Sequence, residues 1–457
     1  MNQALEQFDR RVAGARVTVI GIGVSNTPLI RLLVERGAQV TACDRKEEQA
    51  LGPVAGELRA LGVVLRLGED YLEDLHADLI FKTPGMRYDL PQLLRAAEQG
   101  ARVTSEMEVF FELCPCRLIG VTGSDGKSTT TTLIAELLRQ AGHSVHLGGN
   151  LGRPLLPDIE QIGEGDIAVL ELSSFQLHTM TRSPHIAVVT NLSPNHLDMH
   201  RSMEEYVDAK RNLFRHQRPG DVLVLNADND LTRAFAGEAV GDVRMFSRRL
   251  EQADFYADRR GDIYHGGEPV LRREALRLPG DHNVENMMAA MAAVWDLVSP
   301  ADILAVAGRF AGLPHRLEPV RELDGVRYLN DSIASSPTRT AACIHAFAQK
   351  LILILGGYDK HIAFDELGEL LCRRAKAVVL MGATADLIER AVRAAPSFVE
   401  GAPPILRCED MEQAVAAARG LAAPGDIVAL SPACASFDRY PNFAARGEHF
   451  KDVVRAL

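Results

Sequence analysis

Short apolar runs recur along the 457-residue chain, and each is followed by a turn-forming residue and then by a helical pattern. The clearest runs lie at residues 17–20, 118–121, 167–172, 186–192, 222–225, 327–329, 351–355, 378–381 and 427–430. Strands that are apolar on both faces and alternate with helices are typical of parallel sheets covered on both sides. The sequence therefore predicts an α/β fold, in which ligands bind beyond the carboxyl ends of the strands.

The chain is longer than one hydrophobic core usually supports, so it is expected to form several domains. The grouping of the runs predicts three domains, at residues 1–106, 107–313 and 314–457. Each is expected to be a mainly parallel sheet with flanking helices.

Charge and hydropathy exclude some classes of protein. The net charge of −11 argues against a nucleic-acid-binding surface spread over the molecule. The longest apolar runs are too short to span a bilayer, and the first eleven residues lack the apolar core of a signal peptide. We expect a cytoplasmic protein without nucleic-acid partners, and we expect it to be a monomer.

The seven cysteines are odd in number and scattered, without CxxC spacing. This usage indicates free thiols in a reducing compartment. Cys114 and Cys116 flank Pro115 and are the only close pair in the sequence. From the sequence alone, we interpret that pair as an accident of structure.

Residues 122–129 lie between a predicted strand and a predicted helix and form a glycine-rich loop. Such a loop can wrap backbone N–H groups around phosphate oxygens at the positive end of a helix. Lys127 would contact the terminal phosphates and Ser128 would contact Mg²⁺. Val121 stands where the common phosphate loop has its first glycine. The loop residues predicted to bind ATP are Gly123, Ser124, Asp125, Gly126, Lys127, Ser128 and Thr129.

Other polar residues follow neighbouring strands of the same region. Glu171 and His196 each come after an apolar run, where a carboxylate or imidazole could hold a nucleotide metal, although such residues are more often surface or capping residues. By composition Lys210 is a solvated helical lysine. Asn283 stands near a helix start, where it is either an N-cap or a contact for a purine edge.

The first region carries Gly21 and Gly23 after its first run, with Asp44 at the end of the next. This imitates a dinucleotide-binding fingerprint, but Asn26 occupies the place of the third glycine. We interpret it as a site for a diphosphate-bearing ligand rather than NAD. Residues 82–85 follow another run of this region. In the third region residues 330–332, 356–360 and 431–438 follow strands, and each could also be a plain turn.

Taken together, these segments resemble the Mur ligases of peptidoglycan synthesis over nearly the full length of the chain. Within that family, residues 171–177 and 431–436 resemble the D-glutamate-adding branch. The matching segments are residues 122–129, 148–152, 171–177, 191–198, 210, 282–286, 312–316, 330–332, 356–360 and 431–443.

The resemblance implies Rossmann-like first and third domains around a central P-loop ATPase domain, and it implies roles for residues by position. Implied catalytic residues are Lys127, Glu171, His196, Lys210 and Asp331. Asn283, Arg316 and Asp331 join the loop as implied ATP contacts. Implied contacts of the UDP substrate are Val24, Ser25, Asp44, Arg45, Lys46, Gly85, Asn150 and His196. Implied D-glutamate contacts are Ser335, Lys360, Ser436, Phe437 and Phe443. Implied metal ligands are Ser128, Glu171, His196 and a carbamylated Lys210.

The implied activity is an ATP-dependent ligation of D-glutamate to UDP-MurNAc-L-Ala through an acyl phosphate, with two Mg²⁺ sites. One departure is Ile333, where the family pattern has a lysine that Arg339 could replace. Alternatives are another Mur-type ligase, a folylpolyglutamate-type ligase, a small-molecule kinase or a P-loop ATPase module. A nicotinamide dehydrogenase would rest on the Gly21–Gly23 turn alone.

Overall fold

The computed structural model describes residues 3–23, 26–151, 153–193, 200–278, 280–359 and 362–457. The chain divides into two compact units, Met1–Phe310 and Ala311–Leu457. The first unit contains two sheets and the second contains one. Each unit is built around its own apolar clusters.

The first sheet has five parallel strands in the order β3-β2-β1-β4-β5. Its strands are β1 (Arg16–Ile20), β2 (Gln39–Asp44), β3 (Val64–Leu67), β4 (Leu79–Phe81) and β5 (Arg102–Thr104). Because β1 lies at the centre, its carboxyl end faces the ends of β2 and β4, which is where ligands bind in such sheets.

The second sheet has nine strands in the order β14-β13-β12-β11-β10-β9-β6-β8-β7. The strands from β7 to β12 in that order are parallel, and β13 and β14 add an antiparallel edge. The strands are β6 (Arg117–Thr122), β7 (Val145–Gly149), β8 (Ile167–Glu171), β9 (Ile186–Val189), β10 (Val222–Asn226), β11 (Asp242–Ser247), β12 (Phe255–Ala257), β13 (Ile263–His265) and β14 (Glu268–Leu271).

The third sheet, in the second unit, has six strands in the order β15-β16-β20-β17-β18-β19. Only β15 runs antiparallel to its neighbour. The strands are β15 (Glu318–Leu323), β16 (Val326–Asn330), β17 (Leu351–Leu355), β18 (Ala375–Leu380), β19 (Ile405–Arg407) and β20 (Ile427–Leu430).

Helices connect the strands and cover the sheets. Those around the first sheet are α1 (Gln3–Val12), α2 (Asn26–Glu35), α3 (Glu48–Leu51), α4 (Pro53–Ala60), α5 (Pro91–Glu98) and α6 (Glu106–Leu113). Those of the central region are α7 (Lys127–Gln140), α8 (Ser174–Leu177), α9 (Met203–Arg211), α10 (Asp230–Ala234), α11 (Asp281–Val294) and α12 (Pro300–Arg309). The second unit adds α13 (Pro337–His345), α14 (Asp365–Arg374), α15 (Ala385–Arg393), α16 (Met411–Leu421) and α17 (Phe443–Ala456).

The predicted α/β fold with three mainly parallel sheets is confirmed. Every predicted run forms a strand, but the run at 186–192 forms one only over β9. The antiparallel edge strands were not predicted, although the sequence contains the two-residue turns that join them. Asp324 and Gly325 join β15 to β16 with φ +53° and +75°, and Gly266 and Gly267 join β13 to β14 with φ +57° and +89°. Both residues of a type I′ hairpin turn need positive φ, as here.

One apolar cluster extends from Phe8 to Phe235 and so packs the first two sheets into a single unit. The two boundaries between the three predicted domains stay a prediction. None of the helices in the described ranges is both long and apolar enough to cross a membrane.

Candidate active site

Two glycines shape the loop between β6 and α7. Gly123 has φ +148°, and a Cβ atom there would lie 2.0 Å from Oγ1 of Thr190. Gly126 is the N-cap of α7 with φ +78°, and a Cβ atom there would lie 2.3 Å from Oδ1 of Asn286. Only glycine fits at either position, and the loop leads into the positive end of α7, where anions bind.

Lys127 begins α7 and folds back over the loop. Its Nζ donates to the carbonyl oxygens of Gly123 at 2.9 Å and Ser124 at 2.8 Å. The hydroxyl of Ser124 lies 2.9 Å from that of Tyr206 and accepts from the amide of Ser193 at 2.9 Å. The loop is therefore held from both sides, and phosphate oxygens can take the place of the carbonyl acceptors of Lys127.

Lys210 lies on α9 and is only 1% exposed. Its Nζ donates to Oγ1 of Thr122 at 3.0 Å and to the same Gly123 oxygen at 2.9 Å, and it lies 4.8 Å from the ring centre of Tyr206. Burial lowers the pKa of Lys210 well below its ordinary value, and the charge of Lys127 lowers it further. The surface-lysine interpretation is thus wrong, because the amine is buried beside the phosphate loop.

Glu171 ends β8 next to β6 and is 3% exposed. Its Oε1 accepts from Nδ2 of Asn150 at 2.9 Å, and the amide of Asn150 donates to the Glu171 carbonyl at 2.8 Å. Oε2 is buried and accepts no hydrogen bond from the described residues. A buried carboxylate oxygen of this kind fits a cation. His196 lies outside the described residues.

Asn283 is the third residue of α11, whose N-cap is Gly280. The N-cap interpretation of Asn283 is therefore wrong. Its Oδ1 accepts from Nδ2 of Asn286 at 3.0 Å, and Oδ1 of Asn286 accepts from Oγ1 of Thr130 on α7 at 3.3 Å. This pair of amides ties the start of α11 to the helix that follows the phosphate loop.

A cluster of titratable side chains, which was not predicted from the sequence, lies at the start of α9 and contacts Arg87 of the first domain region. His178, His200 and Glu205 have ligand atoms within 4.8 Å of one another. However, Glu205 accepts from Arg87 at 3.0 Å, and Nε2 of His200 is 2.9 Å from Oγ of Ser174. A guanidinium on the one carboxylate that the described residues contribute to this cluster disfavours a cation, so we interpret the cluster as a structural network.

A cavity of about 370 Å³ lies at the carboxyl end of the first sheet. It is lined by Ile20, Gly21, Ile22, Gly23, Asn26, Asp44, Arg45, Lys46, Tyr71, Thr83 and Met86. Three of the eight residues predicted to contact the UDP substrate thus share this cavity. Val24 and Ser25 lie outside the described residues, and Gly85 is exposed between two lining residues.

Two of the lining residues also hold the cavity together. The carboxylate of Asp44 accepts the amides of Ile22 at 2.7 Å and Lys46 at 2.9 Å. The amide of Asn26 donates to the carbonyl oxygens of Ile20 at 3.0 Å and Gly21 at 3.1 Å. Asn26 therefore secures the turn in the place of the third glycine of the fingerprint.

In the second unit, β16, β20 and β17 are neighbours and end at Asn330, Leu430 and Leu355. Asp331 follows β16 and is 4% exposed. Its carboxylate accepts from Oγ of Ser431 at 2.8 Å and from the amide of Leu317 at 3.2 Å. Burial raises the pKa of Asp331 to about 6, and the Arg316 charge partly offsets this. Arg316 and Asp331 are thus close enough to interact.

Arg446, on α17, organises the same edge and was not predicted. It is 2% exposed and donates to Oγ and O of Ser332 at 3.0 and 2.9 Å, and to the carbonyl oxygens of Ala435 and Cys434, both at 3.0 Å. A buried arginine with backbone acceptors fixes the two loops together. Its signal in the sequence is only an arginine on an otherwise buried helical face.

The residues predicted for D-glutamate occupy different environments along these loops. Ser436 is buried, whereas Phe437 and Phe443 are 64% and 39% exposed. Ser335 is half-buried. Lys360 lies outside the described residues. Arg339 is exposed and reaches the carbonyl oxygen of Ile333 at 3.4 Å, so a cationic group does lie near position 333.

Three family models match the chain in succession. They are the Mur ligase MurD-like N-terminal domain over residues 15–105, the Mur ligase middle domain over 121–294 and the Mur ligase glutamate ligase domain over 315–434. The matched segments contain the first, second and third sheets in turn, apart from the first residues of β6.

Curated relatives match over the full length. The UDP-N-acetylmuramoylalanine–D-glutamate ligase of Acetivibrio thermocellus is 51% identical over 465 residues, with 100% of both chains covered. That of Clostridium novyi is 49% identical over 459 residues, again with 100% of both covered. A solved UDP-N-acetylmuramate-alanine ligase from Thermotoga maritima shares the fold, with a TM-score of 0.58, 18% identity and coverage of 97% of this chain and 99% of that one. The chain belongs to the Mur ligase family of ATP-dependent amide-bond ligases.

Proposed function

We propose that this enzyme joins D-glutamate to UDP-N-acetylmuramoyl-L-alanine, with ATP converted to ADP and phosphate. The observation that carries the proposal is the buried pair of Glu171 and Lys210 beside a phosphate loop. That arrangement suits a reaction between a nucleotide phosphate and a substrate carboxylate. The names of the relatives from Acetivibrio thermocellus and Clostridium novyi support the choice of substrates.

A carboxylate resists attack by an amine because an oxide ion is a very poor leaving group. Transfer of the γ-phosphoryl group to the L-alanyl carboxylate gives an acyl phosphate, which the amine of D-glutamate can attack. Phosphoryl transfer mainly requires positioning and neutralisation of charge. Lys127 supplies a positive charge at the loop, and Asn150 holds Glu171 in place.

Mg²⁺ fits the donor set of this site, and we propose two positions for it. Ser128 would contribute to one, and Glu171, His196 and a carbamylated Lys210 to the other. Mg²⁺ would neutralise charge on the phosphates and on the acceptor carboxylate. An ammonium cannot bind a metal, but burial lowers the pKa of Lys210 and so favours the neutral amine, which is the form that takes up CO₂ as a carbamate.

Other parts of the chain would bind the UDP group of the acceptor and the D-glutamate. The cavity of the first sheet, with exposed Arg45 and Lys46, suits the diphosphate of the UDP group. The loops after β16, β17 and β20 carry the residues proposed for D-glutamate, including Ser436 and Lys360. An enzyme that uses ATP and a nucleotide sugar would work in the cytoplasm.

The decisive experiment is release of inorganic phosphate from ATP with UDP-MurNAc-L-Ala and a panel of D- and L-amino acids. We expect release only when acceptor and D-glutamate are both present, and formation of one amide per phosphate. The matched control is L-glutamate, which has the same charge and size. Phosphate release with the acceptor and a different amino acid, but not with D-glutamate, would overturn the substrate assignment. A stable phosphorylated acceptor without D-glutamate would instead indicate a kinase.

A further inference from the structure

The turn that connects the first sheet to the second carries two thiols in contact. Cys114 is the C-cap of α6, and Cys116 directly precedes β6. Their Sγ atoms lie 3.4 Å apart. All seven cysteines are described and are free thiols, and this is the one pair whose sulfur atoms the structure places in contact.

We propose that Cys114 and Cys116 are a redox-modification site, which closes to a disulfide by exchange with a small-molecule disulfide. A disulfide bond is about 2.0 Å long, so the two sulfurs need to approach by roughly 1.4 Å. Pro115 has a fixed φ, which limits the freedom of the turn between them. The reduced turn therefore already holds the two sulfur atoms in contact.

The contact between the thiols also favours a reactive sulfur. When one thiol ionises, the other can donate its S–H to it across the 3.4 Å contact. The hydrogen bond from Cys114 lowers the pKa of Cys116, against burial, and the same bond raises the pKa of Cys114. The pair thus holds one thiolate more readily than an isolated buried cysteine does, and the thiolate is the species that attacks a disulfide.

Exposure sets the order of the two steps. Cys116 is 3% exposed, whereas Cys114 is half-buried and so is the sulfur that an outside disulfide reaches. Cys114 first passes its proton to the Cys116 thiolate across the 3.4 Å contact. The resulting Cys114 thiolate attacks one sulfur of the small disulfide, the S–S bond breaks, and one small thiolate leaves. Cys116 then gives up its proton to solvent and attacks Sγ of Cys114, which expels the second small thiolate. The protein loses two electrons, and the small disulfide is reduced to two thiols.

The position of the turn gives the modification a structural consequence. The turn is where the chain passes from the sheet with the 370 Å³ cavity to the sheet with the phosphate loop. Ring closure stiffens this connection immediately before β6, and β6 ends at Thr122, which contacts Lys210. The proposal itself concerns the bond between the two sulfurs and is independent of the proposed substrates.

The test uses oxidised glutathione on the folded full-length protein, with remaining thiols blocked by iodoacetamide before peptide mass spectrometry. We expect the peptide with residues 114–116 to lose the mass of two hydrogen atoms, and to regain it after dithiothreitol. Cys116→Ser should trap a glutathione adduct on Cys114. Cys114→Ser should leave Cys116 unmodified because it is buried. Cys408→Ser is the matched control, since Cys408 is half-buried and isolated, and should leave ring closure unchanged.

The wild-type chain alone provides a second comparison, which does not depend on the folding of a variant. Ring closure should be faster in the folded protein than in the same chain in urea, because the fold holds the sulfurs together. Equal or slower closure in the folded protein would overturn the proposal. A stable glutathione adduct at this turn in the wild type, without ring closure, would overturn it as well.

Discussion

Lys210 shows how much the surroundings of one residue decide its chemistry. Its amine is buried beside Lys127 and shares the Gly123 carbonyl oxygen with it. Burial and the neighbouring charge of Lys127 both disfavour the ammonium form of Lys210. They therefore favour the neutral amine, which is the form that reacts with CO₂. The same lysine on the surface would stay protonated near pH 7.

We expect Lys210→Ala to lose phosphate release by about 100-fold or more, since a preorganised charged group at a phosphoryl-transfer site is usually worth this much. Acetate or formate should restore part of the activity by standing in for the carbamate. Circular dichroism of the variant checks that the fold is intact. Full turnover by Lys210→Ala would contradict the carbamylation proposal.

Asp331 makes the stability of the second unit depend on pH. Burial raises the pKa of its folded-state carboxyl to about 6, against about 3.9 when unfolded. Between these values the folded state keeps the proton and the unfolded state loses it, so stability falls as pH rises from about 4 to about 6. The loss amounts to about 3 kcal/mol by the usual conversion.

Asp331→Asn removes this titration. We therefore expect the difference between the urea midpoints, variant minus wild type, to be larger at pH 7 than at pH 4, because only the wild type loses stability as Asp331 titrates. Phosphate release by the variant should also fall, because the family resemblance implies that Asp331 contacts ATP. A difference between the two midpoints that is the same at both pH values would show that Asp331 does not titrate in this range.

At the scale of elements, the start of α7 depends on the absence of a side chain at Gly126. We expect Gly126→Ala to weaken ATP binding at least tenfold, because its Cβ would collide with Asn286 and the left-handed backbone would be strained. Gly142→Ala is the matched control. It has φ +89° near the other end of the same helix, with nothing within 4 Å of its Cβ. It should cost about 1–2 kcal/mol of stability and leave ATP binding unchanged.

The loop after β4 and the start of α9 are joined by charges. Arg87 donates to Asp89 at 2.8 Å and to Glu205 at 3.0 Å, and these carboxylates are 17% and 18% exposed. Arg87→Ala leaves both poorly compensated, so we expect a loss of about 1–3 kcal/mol in thermal or urea unfolding. Arg201 also contacts Asp89 but is 75% exposed, so Arg201→Ala should change stability by about 0.5 kcal/mol or less. Equal effects of the two variants would contradict this view of the network.

At the scale of the whole molecule, the two compact units have separate apolar clusters. We expect proteins comprising residues 1–310 and 311–457 each to fold on their own, since no cluster is cut between them. Calorimetry of each piece should show a cooperative transition. A piece that stays unfolded alone would show that its stability depends on the other. Residues 1–116 are not expected to behave this way, because the cluster from Phe8 to Phe235 would be divided.

The sequence by itself determined the most apolar strands, the phosphate loop and the family. Runs such as 351–355 are apolar on both faces whatever surrounds them, and a loop with Gly126 before Lys127 needs only its own backbone freedom. The type I′ turns at residues 266–267 and 324–325 could also have been predicted from local chemistry.

The tertiary structure alone decided which distant residues meet. The contacts of Lys210 with Thr122 and of Arg446 with Ser332 depend on strand order, helix packing and burial. Sequence periodicity gives the face on which a residue lies, but it does not give the partner across that face. A buried charge takes its pKa from that partner and from the water it loses. For this reason Lys210 resembled an ordinary surface lysine in the sequence and became a buried amine at the phosphate loop in the fold.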